Sequence, residues 1–201
     1  MKIAILVEGS TERVFMPHLR EFLKARAVPE MPKLDPFPCD GHVYKGEKLR
    51  RTVEALLRNG KKPADAVIAL TDVYTGGDDF TDAADAKRKM REWVGPEARF
   101  HPHTAQHDFE AWLLPFWSDI QRLAGHNKTA PAGHPESVNH SKPPAYHIAD
   151  IFRLGKKRSY SKPRDAGVIL RGKDLTVAAR ECPELKSFLN TILTLSGGEP
   201  L

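Results

Sequence analysis

Four acidic residues stand where the predicted secondary structure changes. Glu8 directly follows the first apolar run, Asp72 ends the second, and Glu110 comes shortly after the third. Glu12 lies in the first turn of the helix predicted after Glu8. Packing gives no reason for a carboxylate at the tip of a buried strand, whereas Mg²⁺ and Mn²⁺ prefer carboxylate oxygens as ligands. Such ions bridge to phosphate oxygens, so the predicted chemistry is metal-assisted cleavage of phosphodiester bonds.

The elements that must position these acids follow from hydrophobic periodicity. The apolar runs Ile3–Val7 and Ala64–Leu70, with the shorter Ala98–His103, predict buried strands. Amphipathic spacing predicts helices over Thr11–Arg26 and Glu47–Asn59. Helices of this length between strands are typical of a mostly parallel sheet, in which all strands end at one edge. We therefore expect the acids to converge at that edge.

Further elements complete a predicted α/β architecture with a helical C-terminal addition. Prolines confine a short strand near Lys33–Phe37 to an edge of the sheet. Residues 125–145 are rich in Gly, Pro, His and Asn and are predicted to form a long loop. The remaining predicted helices are Thr81–Trp93, Gln106–Trp117, Ala145–Leu154, a short segment after Pro163, and Cys182–Leu195. We expect one domain over residues 1–201, with a core of about 1–124 and an addition of about 125–201.

Each candidate ligand also has an ordinary structural role open to it. Glu12 would be a favourable charge near a helix N-terminus, and Glu110 an acid on an exposed helix face. Asp78, in the loop after the second strong strand, is a further candidate metal ligand, although a loop role fits it better. Because the three main positions are expected to converge, their joint pattern favours the metal site over these separate explanations.

Histidines offer a second kind of chemistry near the same edge. His107 stands beside the acids in the sequence and is the candidate for proton transfer. His101 and His103 would share one face of a strand, but a zinc site there would need further ligands and no Cys is near. Structural or substrate-side roles therefore fit these two residues better.

The charge of the chain is concentrated near its C-terminal end. The net charge is +5, and the densest basic span is Arg153–Lys173. A basic segment near an acidic cluster favours a polyanionic substrate held beside a metal, and the alternative is a solvated basic face. The predicted nucleic-acid contacts are Arg153, Lys156, Lys157, Arg158, Lys162 and Arg164.

The cysteines and the lengths of the apolar segments indicate the cellular compartment. Cys39 and Cys182 lie far apart without metal-ligand spacing, which is typical of a reducing compartment. The first apolar run is too short for a signal peptide, and no segment approaches transmembrane length. We therefore expect a soluble cytoplasmic protein with no membrane association.

Three segments together carry a resemblance to a known family. Val7–Glu12, followed by an amphipathic helix, resembles the opening of TOPRIM domains, in the branch found in OLD (overcoming lysogenisation defect) nucleases. Asp72 resembles the position where TOPRIM domains carry Asp-x-Asp. The segment Gln106–Leu113, Lys162 and the segment Cys182–Leu185 are similar to a family of uncharacterised bacterial TOPRIM-like proteins.

The resemblance implies a TOPRIM-like, Rossmann-like fold and a magnesium or manganese site. It implies metal binding by Glu8, Glu12, Asp72 and Glu110, and stabilisation of the scissile phosphate by Lys162. One position departs from the family pattern, because Tyr74 stands where the second Asp is expected. Asp78 or Asp79 then substitutes, or the site holds one metal instead of two, or activity is lost.

The resemblance favours a metal-dependent nuclease acting on DNA, with RNA as the alternative, in phage defence or on a mobile element. A homodimer and an ATPase partner encoded nearby are the expected protein partners. Two other functions stay open: a non-catalytic binding or regulatory partner of an ATPase, and a phosphohydrolase acting on a small nucleotide. In the enzyme hypotheses the catalytic set is Glu8, Glu12, Asp72, Glu110, His107 and Lys162.

Overall fold

The computed structural model describes residues 1–39, 41–60, 62–73, 79–138, 142–156 and 158–201. Within these ranges the first half alternates strands and helices. The elements are β1 Lys2–Val7, α1 Ser10–Ala25, β2 Lys33–Pro38, α2 Gly46–Arg58, β3 Ala66–Val73, α3 Ala83–Val94 and β4 Phe100–Gln106. The second half is helical and comprises the 3₁₀ helix Phe109–Phe116, α4 Trp117–Ala124, a 3₁₀ turn Pro135–Ser137, α5 Pro144–Gly155, α6 Lys162–Leu170, α7 Leu175–Glu181 and α8 Pro183–Leu195.

The four strands form one parallel sheet in the order β2-β1-β3-β4. This confirms the predicted α/β class with a parallel central sheet flanked by helices. The proline-containing β2 lies at an edge, where the missing N–H groups do not interrupt a central ladder. Since all four strands run the same way, the residues that follow β1, β3 and β4 meet at one edge.

Side chains of β1 divide between two cores on opposite faces of the sheet. Ile3, Ile5 and Val7 pack in the core formed with α1, α6 and α8, whereas Ala4 and Leu6 pack in the core formed with α2 and α3. Alternate residues of a strand point to opposite faces, so an unbroken apolar run is what a sheet covered on both sides requires.

Aromatic side chains join α1 to the C-terminal half of the chain. The ring of Phe15 lies 5.4 Å from that of Phe109, 6.0 Å from Trp112 and 6.3 Å from Phe188. All four side chains are almost completely buried. The helix after β1, the 3₁₀ helix after β4 and α8 are therefore held by one cluster beneath the acidic edge.

The helix predicted over Gln106–Trp117 was wrong in type and in its bounds. Gln106 belongs to β4, and the segment Phe109–Phe116 is a 3₁₀ helix. His107 separates them with a left-handed backbone (φ 69°), and its N–H bonds the carbonyl of Val73 at 2.8 Å. Pro115 lies inside this segment and has no N–H to donate.

Other segments were predicted more closely. The helices α1, α2, α3, α5 and α8 begin and end within about two residues of the predicted bounds. Helix α6 covers the short segment predicted after Pro163, whereas α4 and α7 were not predicted. The predicted loop over residues 125–145 contains the 3₁₀ turn Pro135–Ser137. In the described part of the chain, no helix combines the length and the apolar character needed to cross a membrane.

Phe15→Ala tests the aromatic cluster. Because the ring is almost completely buried, its removal should lower the free energy of unfolding by about 3–5 kcal/mol. Urea denaturation measures this value. Val177→Ala is the control, since Val177 is 42% exposed and its truncation should change the free energy by less than about 0.5 kcal/mol. Equal losses in both variants would contradict the cluster's role.

Candidate active site

Glu8 and Asp72 lie side by side at the carboxyl ends of β1 and β3. The Oε1 atom of Glu8 accepts the backbone N–H of Asp72 at 3.1 Å and the hydroxyl of Thr71. These two residues are 64 positions apart in sequence, and β1 pairs directly with β3. The parallel sheet therefore brings together the two acids on which the metal hypothesis depends.

Glu12 lies in the first turn of α1 and is buried. Its Oε2 atom accepts the backbone N–H of Gly9 at 3.0 Å, so the side chain folds back over the start of its own helix. This contact satisfies a helix N-terminal N–H, the structural role that the sequence left open. Burial and the nearby charge of Glu110 raise the pKa of Glu12, which places it at the same edge as the other acids.

Two more acids reach this edge from the segment after β4. Asp108 and Glu110 are both completely buried. One oxygen of Asp108 accepts the N–H of Ala145 at 3.0 Å, whereas its other oxygen, Oδ1, is buried and has no hydrogen-bond partner among the residues that the structure describes. Glu110 accepts the hydroxyl of Tyr160 at 3.1 Å and pairs with the Nζ atom of Lys162 at 3.1 Å.

Burial and mutual repulsion shift the pKa values of the carboxyl groups at this edge. Burial raises the pKa of Asp72 well above its usual range, and the charges of Glu8, Glu12, Asp108 and Glu110 raise it further. Burial also raises the pKa of Glu8, although its bonds from Thr71 and the Asp72 backbone oppose this. All five acids therefore share one electrostatic environment in which full ionisation is unfavourable.

Lys162 supplies a positive charge to this environment from the start of α6. Burial disfavours its charged form, but the carboxylates of Glu110 and Asp108 outweigh that effect and hold the pKa of Lys162 above its ordinary value. Burial, followed by the charge of Glu110, likewise raises the pKa of Tyr160. The predicted placement of Lys162 beside the acids is therefore seen in the structure.

Asp165 fixes the position of the segment that contains Tyr160 and Lys162 by hydrogen bonds. Its carboxylate is completely buried and accepts the backbone N–H of Ser161 at 2.7 Å and a guanidinium N–H of Arg158 at 2.8 Å. Although burial would raise the pKa of Asp165, these bonds and Arg164 lower it, so Asp165 is ionised in the fold. The loop before α6 is thus fastened to the first turn of that helix.

The acidic edge fits a hard divalent cation in donor type. Its donors are carboxylate oxygens, their mutual repulsion disfavours ionisation, and Asp108 presents an unpartnered buried oxygen. Within the described ranges, no three Asp, Glu, His or Cys side chains are placed to hold a metal ion together. A coordination shell would therefore require these side chains to draw closer than they are here.

Comparison with known proteins places the chain in a family. A family model described as Domain of unknown function (DUF4276) matches residues 7–193. The chain belongs to this family. It is also similar in structure to the C-terminal region of the Burkholderia pseudomallei OLD protein, with a TM-score of 0.53, 13% sequence identity, and coverage of 97% of this chain and 98% of that chain. No curated protein matches the chain.

The structural likeness bears on the predicted relation to OLD proteins. At 13% identity it shows a shared fold over almost the whole of both chains. The relation is confirmed at that level, whereas membership of the TOPRIM class stays a prediction. The DUF4276 fold therefore includes the helices after β4, because the shared region extends over both halves of the chain.

In this DUF4276 protein, His107 is anchored away from solvent. Burial lowers the pKa of its ring, and a hydrogen bond to the backbone of Glu136 opposes that shift. Glu136 in turn accepts the indole N–H of Trp112 at 3.0 Å and the backbone N–H of Glu184 at 2.9 Å. His107 thus helps to fix the segment before α5 against the start of α8, and its proposed part in proton transfer stays a prediction.

Most of the predicted nucleic-acid contacts are paired with acids of the protein. Arg153 pairs with Asp150 at 2.7 Å, and both Arg158 and Arg164 pair with Asp165. Lys156 ends α5 in a left-handed conformation. Two predicted residues, Asp78 as a ligand and Lys157 as a nucleic-acid contact, lie outside the described residues, as does the departure at Tyr74.

Three residues at the acidic edge were not predicted from the sequence. Asp108 lies two positions before Glu110, and its place directly after the third strand was the available signal. Tyr160 lies two positions before Lys162 but carries no recognisable spacing. His42 follows β2, is exposed, and its charge lowers the pKa of Glu8, so it lies at the acidic edge.

Asp108→Asn tests the electrostatic strain of the metal-free site. Burial, and next the charge of Glu110, raise the pKa of Asp108 from 3.8 to about 7. The folded state therefore binds this proton more tightly than the unfolded state, and the stability that it contributes is lost as pH rises from about 4 to about 7. In EDTA, the variant should be more stable than wild type at pH 8, by roughly 1–4 kcal/mol, and nearly equal at pH 4.

Urea denaturation at the two pH values measures the difference. Glu92→Gln is the control, because Glu92 is an exposed acid on α3 and should show no difference that depends on pH. The same stability change at pH 4 and pH 8 in Asp108→Asn would show that Asp108 is not strained by its charge.

Proposed function

We propose that this protein is a Mg²⁺- or Mn²⁺-dependent nuclease that hydrolyses phosphodiester bonds. The observation that carries the proposal is the convergence of five carboxyl groups from three points of the chain at the carboxyl edge of a parallel sheet. Their mutual repulsion, most marked at Asp72, is the condition that a divalent cation relieves. The same edge carries Lys162, whose charge suits a phosphate.

The roles of the acids follow from their contacts. Glu8, Asp72 and Asp108 would hold the ion, since Glu8 and Asp72 are adjacent and Asp108 has an unpartnered oxygen. Glu12 and Glu110 would complete or orient this set, because each is already fixed by a hydrogen bond from the protein. The bound ion would activate water and neutralise charge on the phosphate.

Protein groups around the acids would serve the rest of the reaction. Lys162 lies on the acidic edge, where a phosphate held by the proposed metal ion would compete with Glu110 for its ammonium group. Thr71 and the backbone of Asp72 hold Glu8 in one orientation. His42 is exposed near Glu8 and is a second candidate for proton transfer beside His107.

The sequence resemblance supports a nuclease of OLD-family type, and the shared fold with the OLD C-terminal region is consistent with it. On this basis we propose DNA as the main substrate, a setting in phage defence or on a mobile element, and an ATPase as partner. The TOPRIM-like assignment belongs to the same proposal. A reducing cytoplasm is the proposed location.

A non-catalytic role in binding or regulation is the second candidate. Two observations favour it: Lys162 already neutralises Glu110, and among the described residues no three potential ligands are gathered for a metal. Such a protein would keep the acidic edge as a docking surface for a partner. Metal affinity distinguishes this candidate from the nuclease.

Metal binding should be visible as a gain in stability. If the acidic edge binds Mn²⁺, a concentration of 100 times the dissociation constant would stabilise the wild-type fold by about 2.7 kcal/mol. The variant Asp72→Asn should lose most of this gain, and Glu92→Gln should keep it. Thermal unfolding with and without Mn²⁺, supported by titration calorimetry, measures both. No binding at millimolar Mn²⁺ would favour the non-catalytic role.

Cleavage itself is tested on supercoiled plasmid with Mn²⁺. Glu8→Gln keeps the size of the side chain but removes its charge, so nicking should fall by at least about 100-fold. The exposed Glu92→Gln should cleave like wild type. Equal nicking by Glu8→Gln and wild type would refute the assignment. A parallel panel of small phosphoesters separates the nuclease from a small-nucleotide phosphohydrolase.

A further inference from the structure

A groove of about 820 Å³ lies between α1 and α6 and opens beside the acidic edge. One end is formed by Ser10 and Pro163. Ser10 is the first residue of α1, directly after Gly9, whose N–H binds Glu12. Pro163 follows Lys162, whose ammonium group pairs with Glu110. The groove thus begins next to the residues that form the candidate active site.

The two helices run side by side away from that edge. An added Cβ atom at Gly167 would lie 2.7 Å from Cγ1 of Val14, so the backbone of α6 approaches α1 closely at this point. Further along, the ring of His18 forms a hydrogen bond with the backbone of Gly167, and the charge of Arg171 contributes to lowering the pKa of His18. From Ser10 to His18, α1 rises by about 12 Å, which sets the length of the groove.

The lining of the groove is strongly positive. Arg13, Arg164 and Arg171 contribute to its walls, and none of its lining residues in the described ranges is acidic. Arg13 and Arg171 form no ion pair with any part of the chain that the structure describes, whereas Arg164 pairs with the buried Asp165. Arginine forks match phosphate oxygens in geometry, so uncompensated arginines along a groove favour a polyanion.

We infer that this groove, defined by Arg13, Arg164 and Arg171, binds the phosphate backbone of a nucleic-acid strand and leads it to the acidic edge. The inference rests on the proposed nuclease function and names the path of its substrate. Phosphates bound by Arg13 and Arg171 would lie along α1 and α6, with the scissile phosphate at the Lys162 end. The basic span Arg153–Lys173 contributes Arg164 and Arg171 to the lining and Lys162 at the mouth of the groove.

The lining residues also predict whether affinity depends on the base sequence of the nucleic acid. Among the described residues, no Phe, Tyr or Trp side chain of the kind that stacks on bases lines this groove. Val14, Pro17, Val168 and the backbone at Gly167 offer an apolar floor without base-reading groups. Binding should therefore follow the phosphate backbone and be nearly independent of base sequence.

Fluorescence anisotropy with a labelled 12-nucleotide dT strand tests the groove, in EDTA so that no cleavage occurs. The double variant Arg13→Ala/Arg171→Ala should bind at least about tenfold more weakly than wild type at low salt. Each phosphate contact on a single strand contributes about 0.7 to the slope of log K against log salt, so the slope should shrink by about 1.4. A dA strand of equal length should bind wild type with similar affinity.

Two matched variants separate charge from structure. Arg51→Ala removes an exposed arginine on α2 and should bind like wild type. Arg13→Lys/Arg171→Lys keeps both charges and should retain most of the salt dependence. A double alanine variant with wild-type affinity and slope would overturn the inference.

Cleavage assays on the same proteins separate this inference from the proposed function. Binding that depends on the groove arginines, without cleavage by wild type, would support the groove and refute the nuclease. Cleavage that depends on Glu8 but is unaffected by loss of Arg13 and Arg171 would support the nuclease and refute the groove. Thermal unfolding of each variant verifies that these exposed substitutions leave the fold intact.

Discussion

Repulsion among carboxyl groups at one edge of the sheet is the constraint to which much of this structure responds. Five acids meet there, and the pKa of Asp72 is raised by burial and by all four others. The fold offsets part of this cost with hydrogen bonds from Thr71 and the Asp72 backbone, and with the ammonium group of Lys162. These contacts offset the repulsion only in part, and the proposed metal ion would offset the remainder.

The C-terminal helices are placed by the same constraint. Lys162 can balance Glu110 only if α6 begins at the acidic edge, and the buried Asp165 fastens the preceding loop so that it does. Because α6 begins there and packs closely on α1, a groove lined with arginines arises between the two helices. Charge balance in the site and positive charge in the groove are therefore consequences of one helix placement.

Sequence reasoning succeeded where local pattern and chain direction were enough. An apolar run ending at Glu8 and another ending near Asp72 specify buried parallel strands, and parallel strands must end at one edge. It failed where the backbone departs from regular periodicity. The left-handed backbone at His107 and the 3₁₀ helix that follows redirect the chain, and they bring Asp108 to the edge together with Glu110.

The sequence by itself determined the class of fold, the order of the four strands and of the three helices between them, and the two acids that follow or end strands, Glu8 and Asp72. Only the tertiary structure decided which charges remain uncompensated. Ion pairing depends on distances between side chains in the folded chain. The sequence of the basic run Arg153–Arg164 therefore does not reveal which acids pair with it. The positive groove likewise joins Arg13 to Arg171, residues that no local pattern relates, because it exists only once α1 and α6 are packed together.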